Sequence, residues 1–137
     1  MEYQAMSSEP QRTVIRITEY LDLDVGRELW MCNRCGHEIG SARDNYKRGC
    51  LLYDRDPREI HPPVVEESFS FSPDPLWVRV VECYCPHCGT QIETEYLPPG
   101  HPLTWDIEMD LDRLKERLRT GEFVIRNQRI EVRDELD

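Results

Sequence analysis

Two copies of one short design constrain this chain more than anything else in it: Cys32-Asn33-Arg34-Cys35-Gly36 and Cys85-Pro86-His87-Cys88-Gly89. Two thiolates three positions apart on a tight turn reach one metal at about 2.3 Å, and the glycine that follows permits a left-handed backbone and brings amide donors near sulfur. Two such knuckles, separated by 49 residues, complete a tetrahedral four-thiolate site of the zinc-ribbon kind. The expected ligands are Cys32, Cys35, Cys85 and Cys88, and the expected metal is a structural Zn2+. The same cage suits a rubredoxin-like iron electron carrier. Zinc is preferred, because the wide separation of the knuckles and the lack of a cofactor signature fit a clamp better than a compact electron carrier.

A disulfide framework is the competing use of six cysteines. Against it, Met1 to Gln11 carries glutamates and a proline where a secretory signal has a cationic patch and an apolar run, and bonds within each CxxC close loops too small to staple anything. The expected setting is the cytoplasm, where thiols stay reduced. No apolar run approaches the roughly 20 residues needed to span a bilayer, so no membrane span is expected. Cys83 and Cys50 are left over. Cys83, two residues before Cys85, is a substitute ligand or a small core residue, the latter preferred; Cys50 reads as packing. His37 and His87 flank a site already supplied with four sulfurs and read as exposed or supporting imidazoles. His61 and His101 are assigned no role.

The chain has 137 residues with 27 acidic against 17 basic side chains, a formal net charge of -10. That balance repels phosphate backbones and opposes a free-standing nucleic-acid-binding zinc ribbon. Only residues 32 to 60 are not acidic. There Arg43, Lys47, Arg48, Arg55 and Arg58 form the one basic cluster, expected as a solvated surface paired with Asp44, Asp54 and Asp56. A site closed by four protein thiolates has no open position for water or a carbonyl, so no catalytic residue is expected on this chain. Glu66 and Glu67 are adjacent and point apart on an extended loop, and no phosphate loop, nucleophile elbow or HExxH pattern occurs.

Periodicity predicts a mainly β, small α+β fold: a zinc ribbon with extended arms, one C-terminal helix and a terminal hairpin. Residues 13–23 alternate as one strand, and 27–32 and 49–54 as two more. Residues 76–84 and 90–97 form a hairpin around the second knuckle. From Asp56 to Pro75, five prolines predict an irregular excursion through which neither a helix nor an interior strand runs, and Phe69 and Phe71 within it require a covering surface. Asp110 to Thr120 reads as a helix, with Asp110 as N-cap, Leu111, Leu114 and Leu118 on one face and Gly121 as terminator. Residues 122–133 read as a hairpin turning at Asn127 and Gln128. The expected organisation is an N-terminal arm and strand (1–26), a zinc-ribbon core with the proline-rich insertion at 56–75 (27–105), and the C-terminal helix and hairpin (106–137).

The runs MCNRCGH at 31–37, ARDNYK at 42–47, YDRDPREIHP at 53–62 and PLWVRVVECYCPHCGTQIETEYLPPGHP at 75–102 resemble the small zinc-containing subunit of the ATP-dependent ketone carboxylases. That family comprises the acetone carboxylase gamma subunit and its acetophenone carboxylase counterpart, and the chain leans to the second. The Asp44-Tyr46-Lys47 element and the Trp77 strand running into Tyr84, Cys85 and Pro86 are its more specific marks. The resemblance implies a hetero-oligomer that joins a ketone and bicarbonate into a β-keto acid at the expense of ATP. ATP and a divalent metal would sit on larger, hydantoinase-like subunits. This chain would be the accessory subunit, with its metal on Cys32, Cys35, Cys85 and Cys88.

Overall fold

The computed structural model describes residues 13–60, 65–66, 69–70 and 74–133. Strands dominate its regular structure, several of them carrying β-branched and aromatic residues. In chain order these are β1 (Val14–Arg16), β2 (Leu21–Asp24), β3 (Leu29–Cys32), β4 (Glu38–Ser41) and, after a 3-10 turn at Tyr46–Gly49, β5 (Leu51–Arg55). Then come the one-turn helix α1 (Pro57–Ile60), the two-residue strands β6 (Val65–Glu66) and β7 (Phe69–Ser70), and the long pair β8 (Arg79–Tyr84) and β9 (Gln91–Leu97). Helix α2 (Leu111–Thr120) and the hairpin β10 (Phe123–Arg126) and β11 (Arg129–Val132) follow. The sheets are antiparallel: a meander β1-β2-β3-β4, a three-stranded sheet β5-β8-β9, and the pairs β6-β7 and β10-β11. Among the described residues, no helix is long and apolar enough to cross a membrane.

The elements depart from the expected ones in three places. Residues 13–23 are two strands: the chain folds back at 17–20, Ile17 and Thr18 both donating to the Leu21 carbonyl, so Arg16 lies opposite Asp22. The alternation hid a turn built without glycine or proline. β4 was not foreseen, because Glu38-Ile39-Gly40-Ser41 offers one apolar side chain. The excursion after Asp56 opens on α1, with Pro57 at the first helical position, where its missing N–H costs nothing. The arm before Thr13, His61 and the side chains of Phe69 and Phe71 lie outside the described residues.

One apolar cluster collects Ile15, Leu21, Leu23, Trp30, Cys32, Ile39, Tyr46, Cys85, Leu111 and Leu114. Trp30 is fully buried, packs edge-on to Tyr46 with centroids 5.9 Å apart, and donates from Nε1 to the Asp44 carbonyl at 2.9 Å. Helix α2 closes this core with Leu111 and Leu114. Its Asp110 cap accepts from Arg113 N–H, and Gly121 ends it in the left-handed conformation, as the sequence predicts. The terminal hairpin turns at Asn127 and Gln128, both at positive φ, the type I′ geometry of two-residue loops.

β2 is buried along its whole length, so its two aspartates must be satisfied inside. Asp22 accepts from Arg16 and Asn33; Asp24 accepts from Thr13 Oγ1 (2.7 Å) and from the backbone and side chain of Arg27. Burial works to raise the Asp24 carboxyl, but the bonds from Thr13 and Arg27 outweigh it and hold it below its ordinary value. A carboxyl depressed in the folded state stabilises at neutral pH, and that contribution is lost as pH falls through and below the usual carboxylate range. Asp24→Asn is expected to cost about 2 kcal/mol in urea unfolding at pH 7. The cost should shrink steadily between pH 5 and 3; a pH-independent cost would show that charge is not what Asp24 contributes.

The basic cluster is not the single solvated surface expected. Arg48 and Arg58 do pair with Asp44 and Asp56. Arg43 instead reaches Glu28 and Asp112, and Arg55 reaches Glu82 and Glu59; Asp54 is taken by Arg79. Lys47 is fully buried. Its ammonium lies 2.7 Å from Glu95 and 3.2 Å from Asp106, and donates to the Thr104 carbonyl at 2.9 Å. Thr104 also donates its hydroxyl to Glu95. With Asn45 donating to the same Thr104 carbonyl at 3.1 Å, this cluster pins the segment after β9 against the 3-10 turn.

Candidate metal centre

β3 ends on Cys32 and β8 ends one residue before Cys85, so each knuckle is the turn of a hairpin, β3–β4 and β8–β9. The same two backbone bonds close both turns. Gly36 N–H donates to the Cys32 carbonyl (2.8 Å) and Gly89 N–H to that of Cys85 (2.9 Å). Cys32 N–H donates to the His37 carbonyl (3.0 Å) and Cys85 N–H to that of Thr90 (2.8 Å). Gly36 and Gly89 sit at φ +79° and +77°, where a side chain is strained by roughly 1–2 kcal/mol.

These turns bring together the four cysteines picked out in the sequence. Their sulfurs all lie within 4.8 Å of one another, with Cys32 and Cys85 buried and Cys35 and Cys88 exposed. The Cys32–Cys88 and Cys35–Cys85 Sγ distances are both 3.7 Å. A regular tetrahedron with metal–sulfur arms of about 2.3 Å has edges of about 3.8 Å, so the donor set fits one tetrathiolate metal ion. The spacing is far too long for a disulfide, and all six cysteines are free.

The sulfurs do not ionise alike. Burial pushes the Cys32 and Cys35 thiols up, Cys35 to about 12. The hydroxyl and backbone amide of Thr90 pull Cys88 down to about 6. The hydroxyl is 3.0 Å from its sulfur. Four contacting sulfurs cannot all carry charge unaided, and a divalent cation is what allows it. Metal uptake at pH 7 is therefore expected to release at least about two protons per ion, from Cys32 and Cys35. Calorimetric titration in buffers of different ionisation enthalpy measures the count; a value near zero would exclude the thiol set as ligands.

Cys83 is fully buried and lies outside the cluster of four. Cys50 is half-buried, its Sγ 3.5 Å from the Tyr46 carbonyl. Burial pushes Cys83 up to about 11 and Cys50 to about 12, as packed thiols. His37 and His87 also stay out of the cluster. Their rings stack across the two knuckles, centroids 5.6 Å apart and 6° from parallel. Neither that stack nor Thr90 was anticipated, although a hydroxyl two residues after a ligand is a readable signal.

Comparison with known proteins supplies the family. Residues 15–119 match the family described as acetone carboxylase gamma subunit. The chain belongs to that family. It is 59% identical over 113 residues to the acetophenone carboxylase beta subunit of Aromatoleum aromaticum, covering 82% of this chain and 88% of that one. It is 31% identical over 82 residues to the acetone carboxylase gamma subunit of Xanthobacter autotrophicus, covering 57% of this chain and 45% of that one. Both knuckles and the buried Tyr46-Lys47 pair fall inside the stretch that matches the family.

Proposed function

We propose that this chain is a non-catalytic subunit of a hetero-oligomeric, ATP-dependent ketone carboxylase, and that Cys32, Cys35, Cys85 and Cys88 hold one structural Zn2+. The observation that carries the metal assignment is the pair of 3.7 Å sulfur contacts between knuckles from different hairpins. A closed set of four thiolates supplies rigidity and leaves no position for substrate, which supports a structural role. The names of the two relatives support membership of a carboxylase assembly, the higher identity favouring the acetophenone type. In this reading the complex forms a β-keto acid from ketone and bicarbonate in the cytoplasm, where reduced thiols persist. ATP and its divalent metal sit on larger, hydantoinase-like subunits.

The test is co-expression with the large subunits, affinity capture through a tag on one of them, and metal analysis of the eluate. The expected result is a colourless complex with one zinc per copy of this chain. Iron in its place, with the absorbance of an iron–thiolate centre, would overturn the metal assignment. Failure of the metal-loaded chain to assemble with the large subunits would overturn the carboxylase reading.

A further inference from the structure

The two edges of the β5-β8-β9 sheet are treated very differently. Along β9, Glu93 and Glu95 alternate with Ile92, Thr94 and the 55% exposed Tyr96, and Glu95 is engaged by Lys47 and by Thr104 of the segment that follows β9. β5 carries its charges only at its end, where Asp54 pairs with Arg79 and Arg55 with Glu82 and Glu59, the Arg55 guanidinium lying 4.6 Å from the Tyr53 ring centroid. Among the described residues β5 pairs only with β8, and its first three residues, Leu51, Leu52 and Tyr53, are 58%, 47% and 47% exposed. Leu51 and Tyr53 share a face with Tyr84 and Glu82, while Leu52 lies opposite Cys83 on the other face, so apolar surface flanks the edge on both sides. Leu76 and Trp77, at 80% and 74% the most exposed of the described large apolar residues, precede β8, the strand that β5 pairs with. Natural edge strands are blunted by lysines, prolines, bulges or a covering element; a bare apolar edge in a soluble chain is a template for another strand.

We infer that the outer edge of β5 receives an extended segment from a larger carboxylase subunit, added as a fourth strand to the β5-β8-β9 sheet. This rests on the carboxylase reading above. Main-chain bonds supply affinity in strand addition, and alternate side chains supply selectivity. Charge decides between occupants. The edge lies in the only part of the chain that is not acidic, with Arg48 76% exposed at its start and held by a 3.5 Å contact to Asp44. A second copy would bring together two bodies of charge -10. The segment that fits is apolar at alternate positions and neutral or mildly acidic between them.

The test uses the co-expressed complex. Leu51→Lys with Leu52→Lys places charge on the apolar start of the edge, at two exposed positions, and zinc content and circular dichroism report whether the variant is folded. Co-purification with the large subunits is expected to fall at least about tenfold. In the unaltered complex, hydrogen exchange should find the outward amides of residues 51–55 as slow as those of central β8. If the folded double variant assembles fully and those amides exchange quickly, the β5 inference fails while the carboxylase reading stands. If β5 instead mediates a dimer of this chain, the inference fails in favour of a second copy. If the unaltered, metal-loaded chain does not assemble, both fail.

Discussion

Removing the metal from the four-cysteine site is expected to unfold the junction between the β3–β4 and β8–β9 hairpins, and Cys85→Ser is expected to do the same genetically. Cys32 and Cys85 are core residues as well as proposed ligands, in one cluster with Leu21, Trp30 and Leu111. Without a cation, four sulfurs within 4.8 Å must stay mostly protonated in a space shaped for thiolates. A structural zinc contributes roughly 10–16 kcal/mol of apparent binding free energy in small domains, comparable to or larger than the 5–15 kcal/mol that typical domains possess in total. Chelation should therefore abolish cooperative thermal unfolding and move the emission of the buried Trp30 toward that of a solvated indole. Cys83→Ala and Cys50→Ser, outside the cluster, should retain the metal. A chelated chain with an unchanged melting transition would show that apolar contacts alone hold the hairpins together.

Lys47→Met should be the most damaging change away from the cysteines. It keeps most of the side-chain volume and removes one charge from a buried cluster. Glu95, its side chain 11% exposed, would lose its 2.7 Å partner, and Asp106 its 3.2 Å partner. Breaking a buried ion pair from one side typically costs about 3–5 kcal/mol, because the remaining charge stays desolvated. The midpoint of urea unfolding should fall accordingly. Burial works to raise the Glu95 carboxyl, but Lys47 and Thr104 outweigh it and hold it low in the intact protein, so the variant should restore a Glu95 that protonates more readily. Adding Glu95→Gln to Lys47→Met should recover part of the loss, since it removes the stranded charge. If the double variant is as unstable as the sum of the single ones, the cluster is not the unit described.

Local features were the most legible in advance. The helix at 111–120 announced its cap, its apolar face and its terminator, all within one stretch of chain. The hairpin at 123–132 announced its turn through Asn127 and Gln128. What failed were features whose cause lies elsewhere in the chain. The turn at 17–20 carries no turn residues of its own and exists because β1 must return to pair with β2. Lys47 reads as one more cation in a basic run, and nothing near it in sequence foretells burial. Its partners Glu95, Thr104 and Asp106 come from the far end of the sheet and the segment beyond it.

By itself the sequence picked out the four cysteines of the candidate site, because CxxCG is a local instruction: the spacing sets the reach of two sulfurs, and glycine permits the turn that aims them. It also determined the family, through the residues around the knuckles. Only the tertiary structure decided that two knuckles 49 residues apart meet with sulfurs at tetrahedral spacing, that Lys47 lies inside, and that among the described residues β5 pairs only with β8 and exposes Leu51, Leu52 and Tyr53. Each depends on which hairpin packs against which, and that is set by the burial of Trp30, Tyr46 and the leucines around them, a long-range balance that no short segment encodes.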